Sequence, residues 1–207
     1  MKLNEMMKEL IVSISKKNSK MGDIWSVSLP PIITCKHCET CAGKCYAVRM
    51  MKWRESIKEA WKRNLKILKA DRDSYFQQVK AAAITQLYFR WHVSGDIVDQ
   101  DYLHRMCKVA RECKYTRFLA FTKNYEDVNA YLDTHKKPRN LQIVFSIPFN
   151  GAPVPNPHNL PTAVVILKGQ KARDNWKICG GNCAQCNCRG IGCWELKKGE
   201  TVAFPEH

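Results

Sequence analysis

The sequence predicts an α/β fold: a parallel sheet of successive βα units forming a partial TIM-like barrel, with a cysteine-rich metal-binding loop after the first strand and a cysteine-rich C-terminal extension. Three observations carry that reading. Strand-like segments alternate with helical periodicity between Ile24 and Leu167, the signature of parallel strands joined by crossover helices. Two dense cysteine runs, Cys35 to Cys45 and Cys179 to Cys193, bracket this region. The chain is 207 residues long, enough for one domain with a real apolar core and small appendages. Its 45% hydrophobic and 10% aromatic content excludes an intrinsically disordered chain.

The elements follow in order. Leu3, Met6, Met7, Leu10 and Ile11 recur at helical spacing, which makes residues 1–20 an N-terminal helical segment ending in a polar basic stretch. Ile24 to Leu29 reads as a strand stopped by Pro30 and Pro31. After the first cysteine run, Trp53, Ile57, Ala60, Trp61, Leu65 and Leu68 mark one long amphipathic helix. A second helix runs from Asp71 to about Gln86.

Leu87 to Val93 is a strand, and Asp99 caps a helix whose apolar face is Leu103, Met106, Cys107, Ala110 and Cys113. Arg117 to Phe121 is a strand and Tyr125 to Leu132 a short helix; Leu141 to Ile147 and Thr162 to Leu167 are further strands. Five prolines in the 14 residues from Pro148 to Pro161 make that connection a loop. Thr201 to Phe204 is a final strand. The α/β domain thus spans residues 21–170 and the metal-binding extension residues 171–207.

The longest purely apolar run is the five residues Ala163 to Leu167, against the roughly 20 that a spanning helix needs, so no membrane association is expected. Glu5 and Glu9 interrupt any signal-peptide stretch. A cytoplasmic location follows, in a reducing compartment where 11 cysteines, an odd number, point to metal ligation instead of a disulfide framework.

The first run, Cys35-x2-Cys38-x2-Cys41-x3-Cys45, has the spacing of the bacterial ferredoxin motif, and short intervals let successive thiolates converge on one [4Fe-4S] cube. A zinc knuckle is the alternative, although four-cysteine zinc sites more often use two separated pairs. The second run offers Cys179, Cys183, Cys186, Cys188 and Cys193, one more than a four-ligand site requires. It reads as a closed structural site holding zinc or a second cluster. Cys107 and Cys113 read as buried core thiols.

Polar residues gather at the carboxyl ends of the other strands, where parallel sheets bind ligands: Ser94-Gly95-Asp96, Lys123, Ser146 and Lys168. Asp96, Asp99 and Asp101 could hold a magnesium ion, but Asp99 and Asp101 fit a helix cap and first turn better. Lys and Arg number 34 against 19 Asp and Glu, a formal net charge of +15, which attracts polyanions. Lys52, Lys58, Lys62, Lys66 and Lys69 line one helix face that reads as a solvated surface or as a contact for nucleic acid.

The layout resembles the radical S-adenosylmethionine superfamily. There, three cysteines after the first barrel strand bind a [4Fe-4S] cluster, and a Gly-Gly-Glu type motif ending the second strand holds the methionine moiety. Cys38-x2-Cys41-x3-Cys45-Tyr46-Ala47 and Ser94-Gly95-Asp96 occupy those two places. The resemblance implies a cofactor pocket of Ser94, Gly95, Asp96, Ser146 and Lys168, with Asp96 and Lys123 facing the reaction. The cysteine intervals are reversed relative to the superfamily's usual CxxxCxxC, and ligation by Cys35 would leave no open iron.

The chain is also similar to small bacteriophage proteins of the gene product 88-like kind. The shared features are Cys45-Tyr46-Ala47, Ser94-Gly95-Asp96, Thr122-Lys123, a late cysteine cluster and Phe204-x-x-His207. For a phage protein the location would be the host cytoplasm. Two functions are therefore expected: a radical S-adenosylmethionine-like enzyme acting on a nucleic acid or nucleotide, or a non-catalytic DNA- or RNA-binding module stabilised by iron-sulfur or zinc.

Overall fold

A computed structural model describes residues 10–190 and 192–206. The expected helical positions Leu3, Met6 and Met7, and the terminal His207, lie outside the described residues. Residues 10–20 hold no helix. Instead Ile14–Ser15 forms β1, which pairs antiparallel with β2, Trp25–Val27. Side chains of the later helices hold this segment extended. Gln78 Oε1 accepts from Val12 N–H at 2.8 Å and Asn64 Oδ1 from Ser13 N–H at 2.6 Å. The fully buried Asn64 amide returns hydrogen bonds to the carbonyls of Ser13 and Ser28. These partners replace those a helix would have supplied.

The cysteine loop leads into α1, Tyr46–Trp53, and then α2, Glu55–Ala70. The sequence predicts one helix here, but Arg54 takes an extended conformation (φ −136°, ψ 99°) and restarts the helix. The apolar periodicity of α2 therefore stops short of Trp53, which is 84% exposed. Helix α3, Arg72–Ala83, begins at an Asp71 cap that accepts from Ser74 N–H. Next come β3, Tyr88–Trp91, and α4, Gln100–Glu112, whose Asp99 cap accepts from Tyr102 N–H. The remaining elements are β4, Arg117–Thr122; α5, Tyr125–Thr134; β5, Leu141–Ser146; β6, Thr162–Ile166; β7, Lys177–Ile178; α6, Cys183–Cys188; and β8, Thr201–Pro205.

Among the described residues the strands form one eight-stranded sheet in the order β1-β2-β3-β4-β5-β6-β8-β7. All pairs except β1·β2 are parallel, and the near-sequential order is what successive βα units produce. Strand alternation sorts the side chains into two layers. Phe89, Trp91, Phe118, Ala120, Ile143 and Phe145 face α2 to α5 and build the larger core. Leu119, Val144, Ala163 and Val202 face the other way, where Trp194, Leu196 and the late cysteines cover them. Cys107 and Cys113 are buried in the helix-side core, as read from the periodicity of α4. No described helix is long and apolar enough to cross a membrane.

Candidate functional site

The loop from Cys35 to Cys45 lies across the carboxyl edge of the sheet. Two ion pairs and a hydrogen bond clamp it there: Lys36 to Asp127 at 2.7 Å, Lys44 to Glu206 at 2.9 Å, and His37 Nε2 to Glu126 at 2.9 Å. His37 also stacks on Tyr125, with ring centres 5.4 Å apart. The loop is thereby fixed to the start of α5 and to the residue after β8. Single 3-10 turns at Cys38–Thr40 and Ala42–Lys44 curl it so that its thiols gather.

Cys35 is the most desolvated of them. Burial pushes its thiol up to about 12, and the nearby Asp96 carboxyl, Cys38 and Cys41 add to the shift. Cys38 is raised in the same way, by burial and by Cys41 and Cys45. All four expected ligands of the first centre thus stand in one electrostatic neighbourhood. Tyr46 joins them. The residue is 49% exposed, and its hydroxyl is held up by burial, drawn down by Arg90 and raised by Cys45 and Cys35.

The strand-end residues converge on this loop through their backbones. Gly95 adopts φ +81° beneath it, and a Cβ there would lie 2.7 Å from Leu29 Cβ and 2.9 Å from Leu29 O, so only glycine fits. Asp96 is buried, and its two oxygens accept from Ile97 N–H at 2.6 Å and Lys123 N–H at 2.8 Å. Burial nevertheless raises its pKa to about 6. Ser94 accepts Leu29 N–H through its carbonyl, while its buried Oγ has no partner among the described residues. The Ser146 carbonyl accepts from the Tyr125 hydroxyl, and Lys168 donates its N–H to Glu206. Asp99 and Asp101 are both paired with Arg72. With Asp96 committed to two amides, these three carboxylates do not form a cation site.

The second cysteine run lies on the sheet face opposite the helices. A cavity of about 160 Å³ there is lined by Cys179, Cys183, Cys186 and Cys193 together with Arg90 and Phe121. Backbone bonds set two of the thiols in place: Cys179 N–H donates to Ala203 O and Cys183 N–H to Lys20 O. Burial pushes Cys193 up to about 12; Arg90 opposes this, and Cys183, Cys179 and Cys186 reinforce it. Cys188 is exposed and does not line the cavity. Helix α6 puts Cys183 and Cys186 three residues apart on one face, and two further residues carry Cys188 round to the other side. Of the five candidates, Cys188 is the one that stands outside the cavity.

Among the described residues no three His, Cys, Asp or Glu side chains already form a closed ion site. The donor chemistry is what fits a metal. Each group offers four soft sulfur donors of intermediate burial, the ligand set of zinc or an iron-sulfur cluster. Metal binding there would displace thiol protons.

The expected lysine face divides between two helices, because Lys52 lies in α1 and Lys58, Lys62, Lys66 and Lys69 in α2. Lys58 and Lys62 pair with Glu55 and Glu59 one turn earlier. Lys52, Lys62, Lys66 and Lys69 are exposed.

Arg90, Tyr125 and the clamp residues Glu126, Asp127 and Glu206 join the expected residues at these sites. Arg90 carried a readable signal, a charge in the middle of an otherwise apolar strand. No curated protein and no solved structure matches this chain. The model of one family, described as gene product 88, matches residues 3–200. With nearly its whole length covered, the chain belongs to the gene product 88 family.

Proposed function

We propose that this protein is a metalloprotein with two cysteine-ligated centres, which serve to stabilise a basic module that binds nucleic acid. Cys35, Cys38, Cys41 and Cys45 hold a closed [4Fe-4S] cluster. Cys179, Cys183, Cys186 and Cys193 hold zinc or a second cluster. The observation that carries this reading is the position of Cys35: it stands with Cys38 and Cys41 instead of apart from them. Four thiolates close a cluster, and a closed cluster supplies cross-linking in place of an open coordination site.

The clamp residues support the same reading. Lys36 and Lys44 by ion pairs and His37 by a hydrogen bond fasten the loop at both flanks, as a structural staple requires. The polyanion partner rests on the net charge of +15 and on the exposed lysines of α1 and α2. Filter binding of single- and double-stranded DNA and RNA across a salt series tests it. Affinity should fall steeply with salt and weaken in a Lys62→Glu, Lys69→Glu variant; no affinity at low salt would remove the nucleic-acid partner.

A second reading is favoured by one observation, the seating of the first loop at the carboxyl edge of the sheet beside Asp96. In that reading Cys38, Cys41 and Cys45 hold an open cluster of the radical S-adenosylmethionine type, and Lys123, Ser146 and Lys168 border the substrate space. Such a cluster, when bound, supplies one electron to cleave the cofactor. A Cys35→Ala variant separates the two readings. Full iron content with a spectral change on adding S-adenosylmethionine supports the enzyme, and loss of iron supports the closed site.

A further inference from the structure

Arg90 lies between Phe89 and Trp91, both wholly buried in the helix-side core, so alternation turns it to the opposite face of β3. Its register partners there are Ser26 on β2 and Leu119 on β4. The guanidinium carbon sits 4.6 Å from the centre of the Phe121 ring, a cation–π contact that supplies no net negative charge. Among the described residues no carboxylate pairs with Arg90, and its buried Nε has no hydrogen-bond partner. The Ser26 hydroxyl beside it, in a residue 1% exposed, is likewise unpartnered.

Arg90 is half-buried and its Nε wholly so, and a cation partly desolvated in this way without a counter-ion is costly. The cavity that Arg90 lines is the one lined by Cys179, Cys183, Cys186 and Cys193. Four thiolates on a divalent ion or on an oxidised [4Fe-4S] core leave a net charge of about −2 in that cavity. The two deficits are complementary.

We infer that Arg90 is the internal counter-charge of the second thiol centre, holding the anionic four-thiolate site against the sheet through a guanidinium fixed over Phe121. This is a positioning role. It rests on the proposal that Cys179, Cys183, Cys186 and Cys193 hold a metal. The first centre, at the sheet edge, has its own loop and clamp and should be insensitive to it.

The test uses the full chain, purified without oxygen, and follows alkylation of each cysteine by peptide mass spectrometry after adding a chelator. In wild type, Cys183 and Cys193 should stay protected until the chelator acts. In Arg90→Gln their exposure should be about tenfold faster or more, within the usual cost of losing a partner outside the ligand shell, while Cys38 and Cys41 keep their wild-type rate. Arg90→Lys, which retains the charge, should recover most of the protection. If Arg90→Gln does not fold, Arg90→Met, which keeps an apolar stem over Phe121, takes its place. Unchanged protection at Cys183 and Cys193, or equal acceleration at all four thiols, would overturn the inference. Wild-type Cys183 and Cys193 that alkylate freely before any chelator is added would overturn the second centre itself.

Discussion

The carboxylate of Asp96 accepts the backbone N–H of Lys123 at 2.8 Å, which ties the turn after β3 to the end of β4 directly beneath the first cysteine loop. Its other oxygen takes Ile97 N–H. Asp96 thus organises the edge on which Cys35 rests. Replacing it with alanine leaves both amides without their acceptors, a loss of about 1 kcal/mol or more for each. In Asp96→Ala, hydrogen exchange at Ile97 and Lys123 should quicken by about tenfold, while Trp91 and Ala120, inside the strands, keep their protection.

Gly95 shows how closely that turn is fitted. At φ +81° its α-carbon approaches Leu29 and Thr34 so nearly that a Cβ would meet three heavy atoms at 2.7 to 2.9 Å. Gly95→Ala adds left-handed strain to a clash with backbone, together about 2 kcal/mol or more. Urea unfolding should report that loss.

His92 gives the fold an acid limit. It is 3% exposed, its Nε2 lies 2.9 Å from the Tyr102 hydroxyl, and burial, followed by Arg90, holds its pKa down to about 3. A histidine held neutral in the fold contributes its full stability above about pH 6.5 and loses it as pH falls toward the folded value. The slope is about 1.4 kcal/mol per pH unit, or about 3 kcal/mol lost by pH 4. Urea unfolding of wild type against His92→Asn should isolate this slope, since asparagine tolerates the φ of +57° found here. Parallel pH profiles for the two proteins would count against a neutral buried His92.

The five late cysteines should not behave alike. Cys188→Ser should leave metal content and thermal stability unchanged, because Cys188 is exposed and outside the cavity. Cys193→Ser removes a half-buried thiol from it and should release the metal of the second centre. Equal losses in the two variants would show that α6 turns otherwise in the loaded protein.

The strands β3 to β6, helices α3 to α5 and the Asp99 cap were legible because alternation, periodicity and capping residues are local signals. The helix break at Arg54 was not, since nothing in Lys52-Trp53-Arg54-Glu55 announces an extended residue. The N-terminal strand escaped because its hydrogen-bond partners, Asn64 and Gln78, lie more than 50 residues away in sequence. For the sites, spacing identified all the candidate cysteines, but excluding Cys188 required the pitch of a helix as short as α6. The link between Arg90 and Cys193 crosses from one sheet strand to a distant loop, and no local pattern encodes it.

In the proposed function, eight of the 11 cysteines serve two separate four-thiolate centres. Iron, acid-labile sulfide and zinc measured per chain, in wild type and Cys41→Ser purified without oxygen, test it most directly. About four iron and four sulfide per chain are expected for the first centre, lost in Cys41→Ser, with the metal of the second centre retained. A chain that carries no metal, or one from which Cys41→Ser removes everything, would contradict it.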